Sequence, residues 1–144
     1  MSNTERRSPA HIRVVIGSND AQLRSLLGRS LSDDGRFRVV ADGADGEAVV
    51  AAPLRFDVAV LDLSLRGLGI LGVISDLRRR HPSPPVVVVS EHDAVYLRHA
   101  VEAEGAADYL LIPENLDETA ERIVRAYEAS RSGRYGPRAL LASS

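Results

Sequence analysis

Short apolar runs alternate with helix-period segments along most of this chain. The runs at residues 12–17, 37–41, 57–62, 85–90 and 107–111 are rich in Val and Leu. Such runs are typical of strands that are buried on both faces of a parallel sheet. Because a helical pattern follows each run, the sequence predicts an α/β protein, a three-layer α/β/α sandwich around a five-stranded parallel sheet.

Three of the predicted helices carry a clear apolar stripe, and two are weaker. The strong stripes are Leu23, Leu26, Leu27 and Leu31 in the first helix, Ile70, Val73, Ile74 and Leu77 in the third, and Leu116, Ala120, Ile123, Val124 and Tyr127 in the fifth. The weaker helices are predicted at about residues 45–52 and 94–104. We expect one domain over residues 11–130, with flexible tails at residues 1–10 and 131–144.

Composition excludes several classes of protein. A length of 144 residues, 44% hydrophobic and 26% charged, supports one globular domain. No apolar run approaches the roughly 20 residues of a membrane span, and the start lacks a signal-peptide core, so we expect a cytoplasmic protein without membrane contact. The lack of cysteine excludes disulfides and thiolate chemistry. A net charge of -2 argues against direct nucleic-acid binding by this chain.

Acidic, hydroxyl and aromatic side chains stand at strand ends, where ligands converge in open α/β sheets. Asp62 ends the third strand, Ser90 ends the fourth, and Asp108 and Tyr109 open the fifth. These residues, together with the sequences of segments 12–16 and 105–111, make the chain similar to the receiver domain of two-component response regulators. Within that family the chain is most similar to the NarL/FixJ type. The resemblance implies the flavodoxin-like strand order 2-1-3-4-5 and a role in signal transduction and transcription regulation. Receivers of this type usually precede a helix-turn-helix output domain, and the sequence leaves open whether one belongs to this protein.

The resemblance also implies which side chains form the site. A receiver uses a phosphoacceptor carboxylate, two acids that hold Mg²⁺, a hydroxyl, a lysine and an aromatic switch. Asp62 stands at the phosphoacceptor position, Ser90 at the hydroxyl position and Tyr109 at the aromatic position. The other remnant positions of the site are Ser18, Asn19, Asp20, Ser64 and Ile112.

The metal and cation positions depart from the family pattern. The two acids align with Ser18 and Asn19, which are neutral, and the lysine aligns with Ile112. Since Mg²⁺ prefers anionic oxygen ligands, we expect no metal or other cofactor, and only Asp62 and Asp20 are candidates if one binds. Asp20 is better interpreted as the N-cap of the first helix. Phosphoryl transfer depends on positioning and electrostatic stabilisation, so the missing groups favour an atypical, non-enzymatic receiver with weak or no Mg²⁺-dependent phosphorylation.

An atypical receiver would act by binding another protein. In the family the interaction face combines the fourth helix, the fifth strand and the fifth helix. On this chain that face is predicted to include Val95, Leu97, His99, Ala103, Tyr109, Glu121 and Arg125. Such a mixed surface can pair with itself, so we expect a homodimer, with a different protein partner as the next choice.

Two alternatives keep the same fold. The first is a conventional single-domain phosphoreceiver that accepts phosphate on Asp62, with Asp20 or water rebuilding the metal site; only an arginine such as Arg66 could substitute for the lysine. The second is a pseudo-receiver whose emptied pocket senses a small ligand. In that case a more neutral pocket would be lined by Ser18, Asn19, Asp62 and Ile112.

A third alternative is a dinucleotide-binding protein. Residues 67–72 read G-x-G-x-x-G between a strand and a helix, with Glu91 at about the expected later distance. In dinucleotide folds, however, this motif follows the first strand directly, whereas here it follows the third after four intervening residues. The fingerprint is therefore weak support for this function.

Overall fold

Five parallel strands alternate with five helices along the part of the chain that the structure describes, residues 11–51, 55–64, 69–92, 94–112 and 116–133 of a computed structural model. The strands are β1 Ile12–Gly17, β2 Phe37–Gly43, β3 Val58–Asp62, β4 Val86–Ser90 and β5 Asp108–Leu111. The helices are α1 Ala21–Asp34, α2 Gly46–Val50, α3 Ile70–Arg80, α4 Val95–Ala103 and α5 Leu116–Arg131. The order β2-β1-β3-β4-β5 confirms the predicted sandwich. The predicted tails lie outside the described residues except for residues 131–133, and α5 continues to Arg131.

The two faces of the sheet bury separate apolar layers. One layer packs β-strand side chains such as Val14 and Val60 against α1 and α5. The other packs side chains such as Ala59 and Val88 against α2, α3 and α4. Every residue of β3 and β4 is buried, which explains why these two runs contain almost no polar residue. Each fully buried valine or leucine contributes about 1.5–3 kcal/mol.

The observed boundaries lie within a few residues of those predicted. The largest difference among the strands is at β2, which continues through Asp42 and Gly43 instead of ending at Ala41. The register of β2 against β1 shifts between Val14 and Val15. Because of this shift, the last residue of β2, Gly43, pairs with Gly17. No described helix is long and apolar enough to cross a membrane.

A glycine allows the chain to turn from α4 into β5 beside α3. Gly105 has a φ of 113°, in the left-handed region that side chains disfavour. A Cβ atom at this position would lie 2.8 Å from Nε of Arg78. The backbone conformation therefore favours glycine here, and a side chain would also displace that of Arg78.

Substitution of this glycine should weaken the fold. We expect Gly105→Ala to lower the free energy of unfolding by about 1–3 kcal/mol, because the backbone would be strained and Arg78 would have to move. Urea denaturation measures the change. Gly28→Ala is the matched control, since nothing lies within 4 Å of a Cβ there and alanine favours the helix by about 0.5–1 kcal/mol. Equal effects of the two substitutions would contradict the prediction.

Candidate functional site

Asp62 is the buried carboxylate at the carboxyl edge of the sheet. It ends β3, which lies between β1 and β4, and only 5% of the residue is exposed. The edge where parallel strands end is where ligands bind in open α/β sheets. The structure thus places Asp62 where the sequence predicted the centre of the site.

Two serine hydroxyls donate to one oxygen of this carboxylate, an arrangement that we call the hydroxyl clasp. Ser18 Oγ lies 2.9 Å from Asp62 Oδ2, and Ser64 Oγ donates to the same atom. Ser18 Oγ also lies 3.2 Å from the carbonyl oxygen of Asp20, but a hydroxyl has only one proton to give. The shorter bond to the carboxylate is favoured because it is charge-assisted.

Ser18 is held in place from several sides. It is fully buried, its backbone N–H donates to the carbonyl of Gly43 at 3.0 Å, and its hydroxyl accepts the backbone N–H of Asp20 at 3.1 Å. Arg24 Nη1 donates to its carbonyl oxygen at 2.6 Å. Ser18 stands at the first of the family's two acid positions, and its hydroxyl is therefore fixed in place and already hydrogen-bonded.

Asp20 is the N-cap of α1, which confirms that interpretation of the sequence. Its Oδ1 accepts the backbone N–H groups of Gln22 at 3.0 Å and Leu23 at 3.1 Å. These bonds satisfy two donors that the first turn of a helix leaves free. The Asp20 carboxylate is consequently engaged with the helix and bonds neither serine of the clasp.

A pocket of about 300 Å³ opens at the clasp. It is lined by Asn19, Asp20, Leu23, Asp62, Leu63, Ser64, Ser90, Glu91 and His92. Ser18 and Ile112 do not line it, because Ser18 is fully buried and Ile112, 2% exposed, packs into the apolar layer of α1 and α5. The predicted lining was right for Asn19 and Asp62 and wrong for Ser18 and Ile112, and its more neutral character was wrong, since three carboxylates border this pocket among the described residues. Glu91 and His92 were missed, although their position directly after β4 places them at the same edge.

Ser90 and Tyr109 both bind the backbone of one loop residue. Ser90 Oγ accepts the N–H of His92 at 2.9 Å, and the Tyr109 hydroxyl donates to the His92 carbonyl at 2.7 Å. Tyr109 is only 1% exposed. The hydroxyl and aromatic positions of the site are thus joined through the loop that borders the pocket.

Arg98, which the sequence analysis did not single out, holds Tyr109 from the outside. Its guanidinium lies 5.0 Å from the centre of the Tyr109 ring, and Nη1 donates to the Tyr109 carbonyl at 3.2 Å. A guanidinium over an aromatic face is attractive. Arg98 therefore favours the buried orientation of this ring.

Only some residues of the predicted interaction face lie together on the surface. Val95, His99 and Ala103 are exposed on α4, whereas Leu97 is half-buried against the core and the Tyr109 side chain is buried. Tyr96 was missed, although 75% of it is exposed. Its position off the apolar stripe of α4 was the signal that could have found it.

Glu121 and Arg125 lie on a different surface from the α4 residues. They line a hollow with Asp34 and Arg36, beside α1, where Arg36 Nη2 lies 2.9 Å from Glu121. The same guanidinium holds the pKa of Asp34 below its usual value through a hydrogen bond, and the bond to Asp34 raises the pKa of Arg36. These two residues of α5 are therefore separated from the face on which they were predicted.

Three other residues of α5 lie beside β5: Glu118, Thr119 and Arg122. They line a small cavity of about 180 Å³ with Arg98 and Tyr109. Arg122 Nη2 binds Asp108 at the start of β5, at 2.6 Å. The surface between α4 and α5 is consequently more charged than predicted.

Comparison with known proteins identifies the family. The family described as "Response regulator receiver domain" matches residues 14–124. The chain belongs to this family. As a receiver domain it is a part of two-component signalling, and family membership favours this role over the dinucleotide-binding alternative. Of that fingerprint, Gly67 and Leu68 lie outside the described residues, as does Arg66.

The relatives of this receiver are regulatory proteins. It is 34% identical over 113 residues to the transcriptional regulatory protein TcrA of Mycobacterium tuberculosis. The aligned region covers 78% of this chain and 44% of TcrA. It is 32% identical over 115 residues to DegU of Brevibacillus brevis, covering 78% of this chain and 48% of DegU. The chain thus spans less than half the length of these two relatives. Among solved structures, the signal receiver domain of the response regulator NarL from Mycobacterium tuberculosis aligns with a TM-score of 0.77 at 28% identity, covering 83% of this chain and 98% of that one.

The Mg²⁺ that receivers use does not fit the side chains of this site. One oxygen of Asp62 accepts two hydroxyls, Asp20 caps α1, and the family's two acid positions hold Ser18 and Asn19. Among the residues that the structure describes, no three His, Cys, Asp or Glu side chains are grouped as metal ligands. Mg²⁺ is usually held by one or two carboxylates together with waters, and the two positions that supply acids in the family carry a hydroxyl and an amide here.

A double-mutant cycle tests the hydroxyl clasp. We expect Ser18→Ala to lower the free energy of unfolding by about 1.5–3 kcal/mol, because a buried carboxylate loses a charge-assisted donor. In an Asp62→Ala background the same substitution should cost clearly less, and chemical denaturation of the four variants gives the coupling energy. If Ser18→Ala lowers the free energy of unfolding equally in the Asp62→Ala background, Ser18 stabilises the fold through its bond with Asp20 instead.

Proposed function

We propose that this chain is an atypical response-regulator receiver that works in transcription regulation by binding protein partners, with weak or no Mg²⁺-dependent phosphorylation of Asp62. The observation that carries the proposal is the hydroxyl clasp. A carboxylate that accepts two serine hydroxyls is stabilised without a metal ion. The same two hydroxyls are neutral, so they offer no charge that would draw Mg²⁺ to the site.

The electrostatic requirements of phosphoryl transfer support this function over a conventional phosphoreceiver. Charge spreads over the oxygens of the transferred group in the transition state, and catalysis is mostly positioning plus electrostatic stabilisation. Loss of one such stabilising group commonly costs about 3 kcal/mol, or on the order of a hundredfold in rate. The chain lacks both metal-binding acids and the lysine at the family's positions, so the losses accumulate.

The burial of Ile112 is a second support. The family's lysine position is filled by an aliphatic side chain that packs into the core and does not line the pocket. A pocket bordered by Asp20, Asp62 and Glu91, with no lysine at the family's position, repels an anionic phosphodonor. The arrangement therefore disfavours both approach and stabilisation of a phosphoryl group.

Incubation with a small phosphodonor tests the proposal directly. We expect the purified chain, treated with acetyl phosphate and millimolar Mg²⁺, to show no stoichiometric adduct by intact mass. The expected rate is at least about a hundredfold below that of a conventional receiver under the same conditions. A rapid stoichiometric adduct that is lost in Asp62→Asn would overturn the proposal.

A variant with restored acids provides the positive control. Ser18→Asp combined with Asn19→Asp should place two further carboxylates beside Asp62. These carboxylates should repel one another without a metal ion and bind Mg²⁺. Its melting temperature should rise on addition of Mg²⁺, whereas that of the original chain should not. If the original chain is stabilised by Mg²⁺ to the same extent, the metal site is intact and the proposal fails.

We further propose that the exposed face of α4 mediates self-association. Val95 and Tyr96 are 64% and 75% exposed, and both are large and apolar. Aromatic residues with apolar neighbours are typical anchors of protein interfaces. His99 and Ala103 continue this surface toward the end of α4. A homodimer of this kind uses the same face twice.

Sedimentation velocity over a range of concentrations tests the self-association. We expect a concentration-dependent dimer that Tyr96→Glu weakens by about tenfold or more, because an anchor is lost and a charge is introduced. Arg125→Ala is the control, since this exposed residue lies on the hollow beside α1. A monomer at all concentrations, or equal weakening by both variants, would contradict the proposal.

A further inference from the structure

Two arginines stand side by side at the amino edge of the sheet, on the side opposite Asp62. Arg13 of β1 and Arg38 of β2 are register partners on neighbouring strands. Like charges on adjacent strands are unfavourable unless a counter-ion lies between or beside them. The pair therefore raises the question of which anion balances it.

The carboxylate at this edge is already occupied. Asp57 Oδ2 accepts the backbone N–H of Arg13 at 2.8 Å and its Nε at 3.1 Å, and Asp57 Oδ1 accepts Nη2 at 3.2 Å. This bidentate pair neutralises Arg13, and its Nη1 has no acceptor among the residues that the structure describes. Arg38 is exposed and has no carboxylate partner among the residues that the structure describes. Asp57 consequently balances one of the two guanidinium groups.

Tyr127 adds a donor at the same place. Its hydroxyl accepts Nη1 of Arg131 at 2.9 Å, and the Arg131 guanidinium lies 5.6 Å from the centre of its ring. A phenol that accepts a hydrogen bond still has its own proton to donate. No acceptor for that proton is found within the described ranges.

These groups share one hollow of about 330 Å³, which is lined by His11, Arg13, Arg38, Asp57 and Tyr127. Its volume lies in the range of about 300–1,000 Å³ that is typical of small-ligand sites. The hollow offers guanidinium and phenol donors, while its carboxylate is already satisfied by Arg13. A surface that is rich in donors and poor in free acceptors selects an oxyanion.

We propose that Arg13, Arg38 and Tyr127 form a binding site for an oxyanion, a phosphate group either free or in a small phosphate ester. Planar guanidinium groups bind phosphate oxygens in pairs, and the Tyr127 proton supplies a further hydrogen bond. The site lies at the edge opposite the Asp62 pocket. It does not depend on whether Asp62 is phosphorylated, so its failure and that of the proposed function are distinguishable.

Calorimetric titration of the full chain tests the site with three probes: inorganic phosphate, phosphoserine and, at matched ionic strength, chloride. We expect saturable binding of phosphate or phosphoserine with a Kd of about 1 mM or tighter, and none of chloride. Arg38→Gln should weaken binding by about tenfold or more, and Tyr127→Phe by about three- to tenfold. Binding of phosphoserine alone, with the same dependence on Arg38, would identify an ester as the ligand.

Arg29→Gln is the matched control, because it removes the same charge from an exposed position on α1. Circular dichroism confirms that each variant is folded, and exposed Arg38 is not needed for the core. Absence of saturable binding would overturn the proposal. Equal weakening by Arg29→Gln and Arg38→Gln would do so too, since it would show that only the general charge of the protein attracts the anion.

Discussion

The contact between the ends of β1 and β3 governs the carboxyl edge of this protein. Ser18 follows β1, Asp62 ends β3, and a hydrogen bond of 2.9 Å joins them across the edge. The strands bring the two residues together because β1 and β3 are direct neighbours in the sheet. This bond engages the residue at the family's first acid position and one oxygen of Asp62, the buried carboxylate that lines the pocket. Hydroxyl donors stabilise a buried carboxylate without a metal ion.

Much of the fold could be predicted because the strands are buried on both faces. An all-apolar run such as Val86–Val89 has few alternatives, and the residues at its ends then mark the edge of the sheet. The N-cap role of Asp20 was also predictable from local chemistry. The end of β2 was not, because the register shift beside Val14 depends on pairing between two strands and leaves no pattern in either one.

The predicted interaction face shows what the helical periodicity of a sequence cannot predict. An apolar stripe tells which side of α5 faces the core, but polar residues flank that stripe on both sides. Glu121 and Arg125 lie on the flank toward α1 and Arg122 lies on the flank toward β5, whereas Glu118 borders both hollows. Which flank meets which neighbour is decided by the packing of the helix on the sheet. The same holds for the pocket: Glu91 and His92 join it through the path of the loop after β4.

The four consecutive valines of β4 have a consequence beyond the folded state. In the sheet Val86 to Val89 are fully covered, between β3 and β5 and between two helical layers. Before folding, such an uncharged run with high strand propensity is the type of segment that pairs with copies of itself on other chains. Pro82, Pro84 and Pro85 precede the run and Glu91 follows it, residues that interrupt strand pairing at both ends. The segment that gives the sheet its centre is thus also the one that has to be shielded while the protein is being made.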